Sequence, residues 1–548
     1  DPTCGKLYAM GAQSCECSKQ TAPLFLCRSC GAHALRFVGT DAAEVDVLSP
    51  SEARSSETDF EWLLYDRSNA GESDSESEDS DESDDAVGKS DRSGHLVGTE
   101  KQMKKRPVKN GSFDPATCSF STGDDYPIRV TLAPARNRCL CCGAATAAGS
   151  VLTPVALGTS AAVRVVSEGL VEGLSEQHRG QPGFDGKERL LIFADSRQDA
   201  AHQARFITYA GRYDRMRWRL VEILREHRDG LTLGDAVHAL MVRGVERHDN
   251  RPAQDYRTDA DLLPKDVQAK ALAWEEAPLL DDIAVSAGYR ATVLNLGLCG
   301  VRYEPLSRYV ERHGAELRAA LGLPLDGALV YVLRVVLDDM RVRRALSRPL
   351  LCYHPMNKSF PPALRDADWE RRLTQPTGYP CDEAGRPLLH LDQSDIPSGV
   401  TLYNAWRLAK TGGRSPSLER KLVQLLGRLG GVRPDPEHME RVLAFLCAGP
   451  RLLIPNKLHG YGQSRELLQV NADCVTLHAL TAEDRFRCTV CNVRMPWAFA
   501  GAPCPVCHGE LRPWSERDVL SSRYARRVLN PTSLPLVAGE HTAQVTST

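Results

Sequence analysis

No apolar run in this chain approaches the roughly 20 residues a helix needs to cross a bilayer. The longest, such as Ala328–Val336, is interrupted by Arg334. That excludes a membrane protein built on spanning helices. Charge of one sign is also scarce: 68 basic against 71 acidic residues leave a net charge of −3. No global basic field marks a nucleic-acid binder, and only a local basic face remains open. A signal-like segment is missing, and the first residue is Asp1, so the chain reads as a fragment or a processed chain. Catalytic signatures are missing as well. The sequence has no GxxxxGK[ST] phosphate loop, no DExH or DEAD tetrad, no GxSxG elbow and no HExxH. Taken alone, it shows no active site.

Cysteine is what the chain does have. Eighteen in 548 residues is far below the density of a small disulfide scaffold. Many occur in close pairs, which favours metal binding in a reducing compartment over disulfides and points to the cytoplasm.

Composition divides the chain into seven stretches with no fixed-period repeat. Residues 1–70 are a cysteine-rich module. Residues 71–110 hold the run Glu72–Asp85, nine carboxylates among fourteen residues, followed by Lys101, Lys104, Lys105, Arg106 and Lys109. With nothing apolar to bury, the acidic run is expected to be disordered. Its bland reading is a solvated loop; its sharper one is an autoinhibitory strip that mimics nucleic acid. Residues 111–185 carry a third cysteine cluster. In 186–230, Leu190–Ala194 is a short apolar run like a buried parallel strand, Asp195 and Ser196 offer an N-cap, and a helix is expected from Arg197. Residues 231–483 read as mainly helical, with Ala328–Leu346, Leu418–Leu429 and Met439–Cys447 as clear helices. Residues 484–515 are a compact cysteine unit. In 516–548, Leu534–Ala538 reads as a second short strand.

Cys488-x2-Cys491-x12-Cys504-x2-Cys507 is the strongest motif. Two CxxC knuckles at this spacing can bring four thiolates onto one Zn²⁺ at about 2.3 Å, with no open coordination position. Such a zinc is structural. A second zinc site is expected among Cys4, Cys15, Cys17, Cys27 and Cys30, with its membership open. Cys139 and Cys142 offer a third knuckle, with Cys118 some way upstream and no obvious fourth ligand. Arginines around Trp218 (Arg215, Arg217, Arg219) and basic residues around Trp406 could serve single-strand stacking and phosphate contact; a solvated helical face over a core tryptophan is the plainer reading.

Leu190–Arg205 (LLIFADSRQDAAHQAR) resembles motif IV of large bacterial superfamily 2 DEAD/DEAH-box helicases, in particular those with a DUF1998-type zinc region found in DISARM- and Druantia-like phage defence. Gly5–Tyr8 with the cysteines to Cys30–Gly31 is similar to the segment these helicases insert between their two RecA domains. Pro154–Ser160 and Glu168–Leu170 resemble the stretch before motif IV, and Glu540–Gln544 the element before motifs V and VI. The resemblance implies an α/β fold: a partial RecA-like second helicase domain, a large mainly helical insertion and small zinc ribbons.

It further implies that the chain is the central portion of an ATP-dependent DNA helicase or translocase, with ATP and Mg²⁺ bound only by the intact enzyme and this portion inactive alone. Two or three structural Zn²⁺ ions, DNA and defence-system subunits are the expected partners, with no membrane. Ser196, Arg197 and Gln198 fall where motif IV approaches nucleic acid, and Thr542 and Gln544 hold a similar position after the second strand. The alternative is a zinc-ribbon nucleic-acid-binding or scaffold subunit with no ATPase.

Overall fold

The computed structural model describes residues 6, 14–17, 19–28, 32–39, 45–49, 60–66, 108–133, 139–140, 150–154, part of 163–177, 190, 197–256, 259–284, 292–352, 377–381, 386, 401–402, 418–457, 466–489, 493–505 and 509–529. The acidic run, Leu191–Ser196 and Leu534–Ala538 lie outside them. The architecture is mixed α/β. No described helix is long and apolar enough to cross a membrane.

The chain divides into two compact units. The first comprises residues 1–157 with 288–291 and 491–493. It is built on strands β1 (Leu24–Cys27), β2 (His33–Gly39), β3 (Val45–Val47), β4 (Phe60–Asp66), β5 (Lys109–Asp114), β6 (Ser119–Ser121), β7 (Ile128–Ala133) and β8 (Leu152–Pro154). They form one antiparallel sheet in the order β3-β6-β5-β7-β4-β2-β1-β8. Stretches read from sequence as separate modules on either side of the acidic run therefore share one sheet, since β4 and β5 both pair with β7.

Period-2 alternation explains why β4 reads as nearly continuous apolar sequence. Trp62 and Leu64 join Phe37, Phe113, Phe120, Val130 and Leu132 in one buried cluster. Leu63 and Tyr65 join Phe25, Cys27, Cys139 and Leu152 in another. Both faces of the sheet are covered, so neither set of side chains on β4 needs to be polar. Phe37 lies directly opposite Trp62 and stacks tilted on Phe113, with ring centroids 5.3 Å apart. Gly111 on β5 is obligatory, because a Cβ there would sit 1.9 Å from the Ser121 carbonyl oxygen.

The second unit holds the remaining residues. Its main helices are α1 (Arg197–Glu226), α2 (Leu233–Glu246), α3 (Lys265–Ile283), α4 (Leu306–His313), α5 (Ala315–Ala320), α6 (Asp326–Val342), α7 (Leu418–Arg428) and α8 (Pro436–Cys447). Leu220, Val221, Ile223 and Leu224 form the buried face of α1, and Thr232 caps α2 by accepting from the Asp235 N–H. Three small sheets interleave with the helices. β9 (Leu231–Thr232), β15 (Val475–Ala479) and β10 (Cys299–Tyr303) form one, with β15 central. β11 (Thr377–Pro380), β12 (Thr401–Leu402), β13 (Leu453–Lys457) and β14 (Glu466–Val470) form the second. β16 (Arg485–Cys488), β17 (Arg494–Pro496) and β18 (Leu511–Pro513) form the third, with β16 central.

Several buried arginines in this unit are matched to carboxylates or rings. Arg217 makes a bidentate bridge to Asp282, at 2.7 and 2.8 Å. Arg219 bonds Asp249 at 2.5 Å and Glu275 at 2.8 Å, and Arg215 lies near Asp249. Arg212 stacks on Trp274, 3.7 Å from the ring centroid. The arginines around Trp218 are thus held by α3 and the α2–α3 connection; Arg215 and Arg219 are buried. They form neither a free phosphate-binding face nor a solvated one. On α6, Arg334 and Arg341 are likewise buried, Arg334 donating to the Pro496 carbonyl and Arg341 to Asp338 and Tyr303.

Candidate nucleic-acid interface and cysteine centres

The third small sheet begins with the sequence Arg485-Phe486-Arg487-Cys488, a strict alternation of cationic and less polar residues. On a pleated strand this sends Phe486 and Cys488 to one face and both arginines to the other. Register extends the pattern. Arg487 is directly opposite Arg494 on β17 and directly opposite Arg512 on β18. Three guanidinium-bearing residues therefore lie in one row across all three strands.

The inner end of that face is packed. Arg485 is buried and donates to the carbonyls of Gly297 and Leu480, both at 2.8 Å, and pairs with Glu516. Arg494 lies over the buried Trp514, 4.5 Å from its centroid. One step outward, Arg487 is half-buried and Arg512 exposed. Among the described residues neither makes a salt bridge. Like charges directly opposite on a sheet repel, so an anion laid against Arg487 and Arg512 would be drawn to both. The sequence reading missed these residues. The alternation at 485–488 was visible, but the row depends on register.

Cysteine residues occupy the other face and the turns. Cys488 ends β16 and is fully buried; Cys504 is buried too. Thr489 donates its N–H to the Glu510 carbonyl at 3.0 Å, continuing the pairing of β16 with β18 past Cys488, and Cys504 donates its N–H to the Gly509 carbonyl at 2.9 Å. Tyr331 on α6 donates to the Pro503 carbonyl at 2.9 Å. Its phenol is pushed well above the ordinary value by burial first and by Cys504, with Cys488 contributing less. Cys491 and Cys507 lie outside the described residues, within which no group of three or more His, Cys, Asp or Glu is placed to hold a metal.

In the first unit, Cys15 is buried and Cys17 exposed, with the Cys17 N–H 3.5 Å from the Cys15 sulfur. Cys27 and Cys139 are fully buried in one cluster. Cys118, some twenty residues upstream of Cys139, packs on the other cluster. Cys4, Cys30 and Cys142 are outside the described residues. So are Ser196, Thr542 and Gln544; Arg197 and Gln198 open α1, where only their backbone is described.

Comparison with known proteins gives one family match. Residues 7–156 match the YjiV N-terminal domain, a stretch that falls within the first unit and covers well under half of the chain. No curated protein and no solved structure matches.

Proposed function

We propose that this chain is a nucleic-acid-binding portion of an ATP-dependent superfamily 2 helicase, of the DUF1998-bearing kind associated with phage defence, and that its C-terminal cysteine unit is a zinc ribbon. The observation that carries the binding reading is the Arg494–Arg487–Arg512 row. Its guanidiniums suit a phosphodiester backbone, whose contacts need charge but no base readout. The helicase class rests on the resemblance at Leu190–Arg205, supported by a helix that begins at Arg197, directly after the apolar run. In that class a strand end and a helix N-terminus would present Ser196, Arg197 and Gln198 to the nucleic acid. The DUF1998-type resemblance favours DNA over RNA.

Zinc at Cys488, Cys491, Cys504 and Cys507 would fix the turns between the ribbon strands and hence the spacing of the arginines. Motor chemistry has no residues here: with no phosphate loop and no DExH tetrad, this portion supplies contact surface while ATP hydrolysis belongs to other parts of the enzyme.

Fluorescence anisotropy with a single-stranded oligonucleotide across a salt series tests the binding. Replacing Arg487 and Arg512 by alanine should flatten the plot of log affinity against log salt by about 1.4, or about 0.7 per lost phosphate contact. An unchanged slope defeats the arginine row as the contact. The helicase class is tested separately by the coding DNA on either side. A frame that continues into a GKT loop and DExH tetrad upstream, and an arginine-bearing motif downstream, supports it. A closed frame on both sides leaves a binding subunit without ATPase. ATP turnover by this chain alone would overturn the assignment of its motifs.

A further inference from the structure

Arginine stacked on an aromatic ring recurs through the second unit, and the stacked guanidiniums mostly spend their donors inside the fold. Arg212 over Trp274 donates to the Trp274 carbonyl, and Arg217 over Tyr213 donates to Asp282. Arg247 over Trp218 donates to Glu222, and Arg334 over Trp497 to the Pro496 carbonyl. Arg302 on β10 differs. It also lies over Trp497, 4.4 Å from the ring centroid, yet it is exposed, and among the described residues it makes no hydrogen bond or ion pair. Glu304, two residues further on, is exposed as well and does not pair with it. We infer that Arg302, held on Trp497, is a further phosphodiester-binding residue, taking a backbone phosphate of the same nucleic acid that the arginine row binds. The inference rests on the nucleic-acid reading above and deepens it.

The backbone departs from ordinary geometry to seat this ring. Trp497 has φ +49°, in the left-handed region that a bulky side chain rarely enters. Such a conformation persists only where the surroundings hold it, and it collects at functional sites. Gly300 on β10 supplies the space, since a Cβ there would lie 2.4 Å from the ring. Arg334 comes within 5.1 Å of the centroid, and His478 packs edge-on at 5.7 Å. The Trp497 N–H donates to the Asp484 carbonyl at 2.7 Å. A guanidinium resting on so fixed a floor has little freedom left to lose on meeting a ligand. Its planar fork can bond two phosphate oxygens at once, which a lysine would meet only as a point charge. The place is also right. Trp497 follows directly on β17, the strand of Arg494, and Arg485 of β16 donates to the carbonyls of Gly297 and Leu480, which flank β10 and β15. The stack therefore stands where the third small sheet meets the β9-β15-β10 sheet.

Anisotropy with a single-stranded oligonucleotide across a salt series tests the inference, comparing the full chain with Arg302→Ala, Arg302→Lys and the Arg487→Ala/Arg512→Ala double variant. Arg302→Ala should flatten the plot of log affinity against log salt by about 0.7, the loss of one phosphate contact. Arg302→Lys keeps the charge and loses the stacked fork, so it should retain the parent slope and lower the affinity at every salt concentration. Because Arg302 is exposed, both variants are expected to fold. A parent slope in Arg302→Ala, with a flattened one in the double variant, would overturn the inference and leave the nucleic-acid reading standing. Equal affinity of Arg302→Lys and the parent would overturn the stacked guanidinium as the binding element. No binding by the parent, or unchanged slopes in every variant, would overturn both.

Discussion

Tyr331 on α6 donates its phenolic hydrogen to the carbonyl oxygen of Pro503, the residue immediately before Cys504. A helix side chain thus fixes the backbone just before Cys504, and Phe499 packs edge-on against the same ring with centroids 5.7 Å apart. Replacing Tyr331 by phenylalanine keeps that packing and leaves a buried carbonyl without its donor. The expected cost is about 1–2 kcal/mol, read by denaturant unfolding. Zinc at the proposed Cys488–Cys507 site should also leave faster, measured as chelator-driven release. Unchanged stability and release would mean that the helix does not support the knuckle.

The bidentate bridge from Arg217 to Asp282 predicts a different kind of defect. The Asp282 side chain is almost fully buried and also accepts the Val293 N–H at 3.0 Å. Burial opposes the charge on Arg217, but Asp282 more than offsets it and holds the guanidinium above its ordinary value. Asp282→Asn leaves that cation without its counter-charge and should destabilise the chain by about 3 kcal/mol. Asp214→Asn, at the looser 3.5 Å contact with the same arginine, should cost less than about 1 kcal/mol. Neither change should alter the salt slope of oligonucleotide binding, because these arginines are committed inside the fold.

What the sequence disclosed and what it hid divide along range of interaction. Helices over Leu220–Leu224, Leu418–Leu429 and Met439–Cys447 are legible because a helix declares its buried face within a few residues. Arg215, Arg217 and Arg219 looked like surface groups because the carboxylates that hold them are 30 to 65 positions away. The cysteine pairs were visible as spacings, yet that Cys27 and Cys139 share one buried cluster was not, because it depends on β1 pairing with β8 across the first unit. The arginine row is the same lesson on a smaller scale: a one-residue slip of β18 against β16 would send Arg512 to the opposite face.

Gly111 makes the pairing of β5 and β6 directly testable. A Cβ at this position would lie 1.9 Å from the backbone oxygen of Ser121, an atom that cannot swing aside as a side-chain tip can. Gly111→Ala must separate the two strands or shift their register. A loss of about 3 kcal/mol is expected, with amide exchange accelerated across β5 to β7 and unaffected over α1 to α3. Uniform protection in the variant would argue against this strand pairing.

His478 supplies the pH dependence. It lies on β15, within 2.9 Å of the Thr476 hydroxyl and edge-on to Trp497, and Gly230 approaches so closely that a Cβ there would meet the ring. Burial first, and then the cation of Arg302, hold the imidazole below its ordinary value of 6.5; Glu304, Asp484 and Asp229 act in the opposite sense without cancelling the shift. Between the unfolded value and this lower folded one, the unfolded chain binds a proton that the folded chain resists. Stability contributed by neutral His478 is therefore complete above about pH 6.5 and is lost as pH falls through and below it. His478→Gln retains a polar group of similar reach and cannot titrate, so the drop in unfolding free energy between pH 7 and pH 5.5 should be smaller in the variant than in the parent. Equal drops in both proteins would assign the acid sensitivity to other groups.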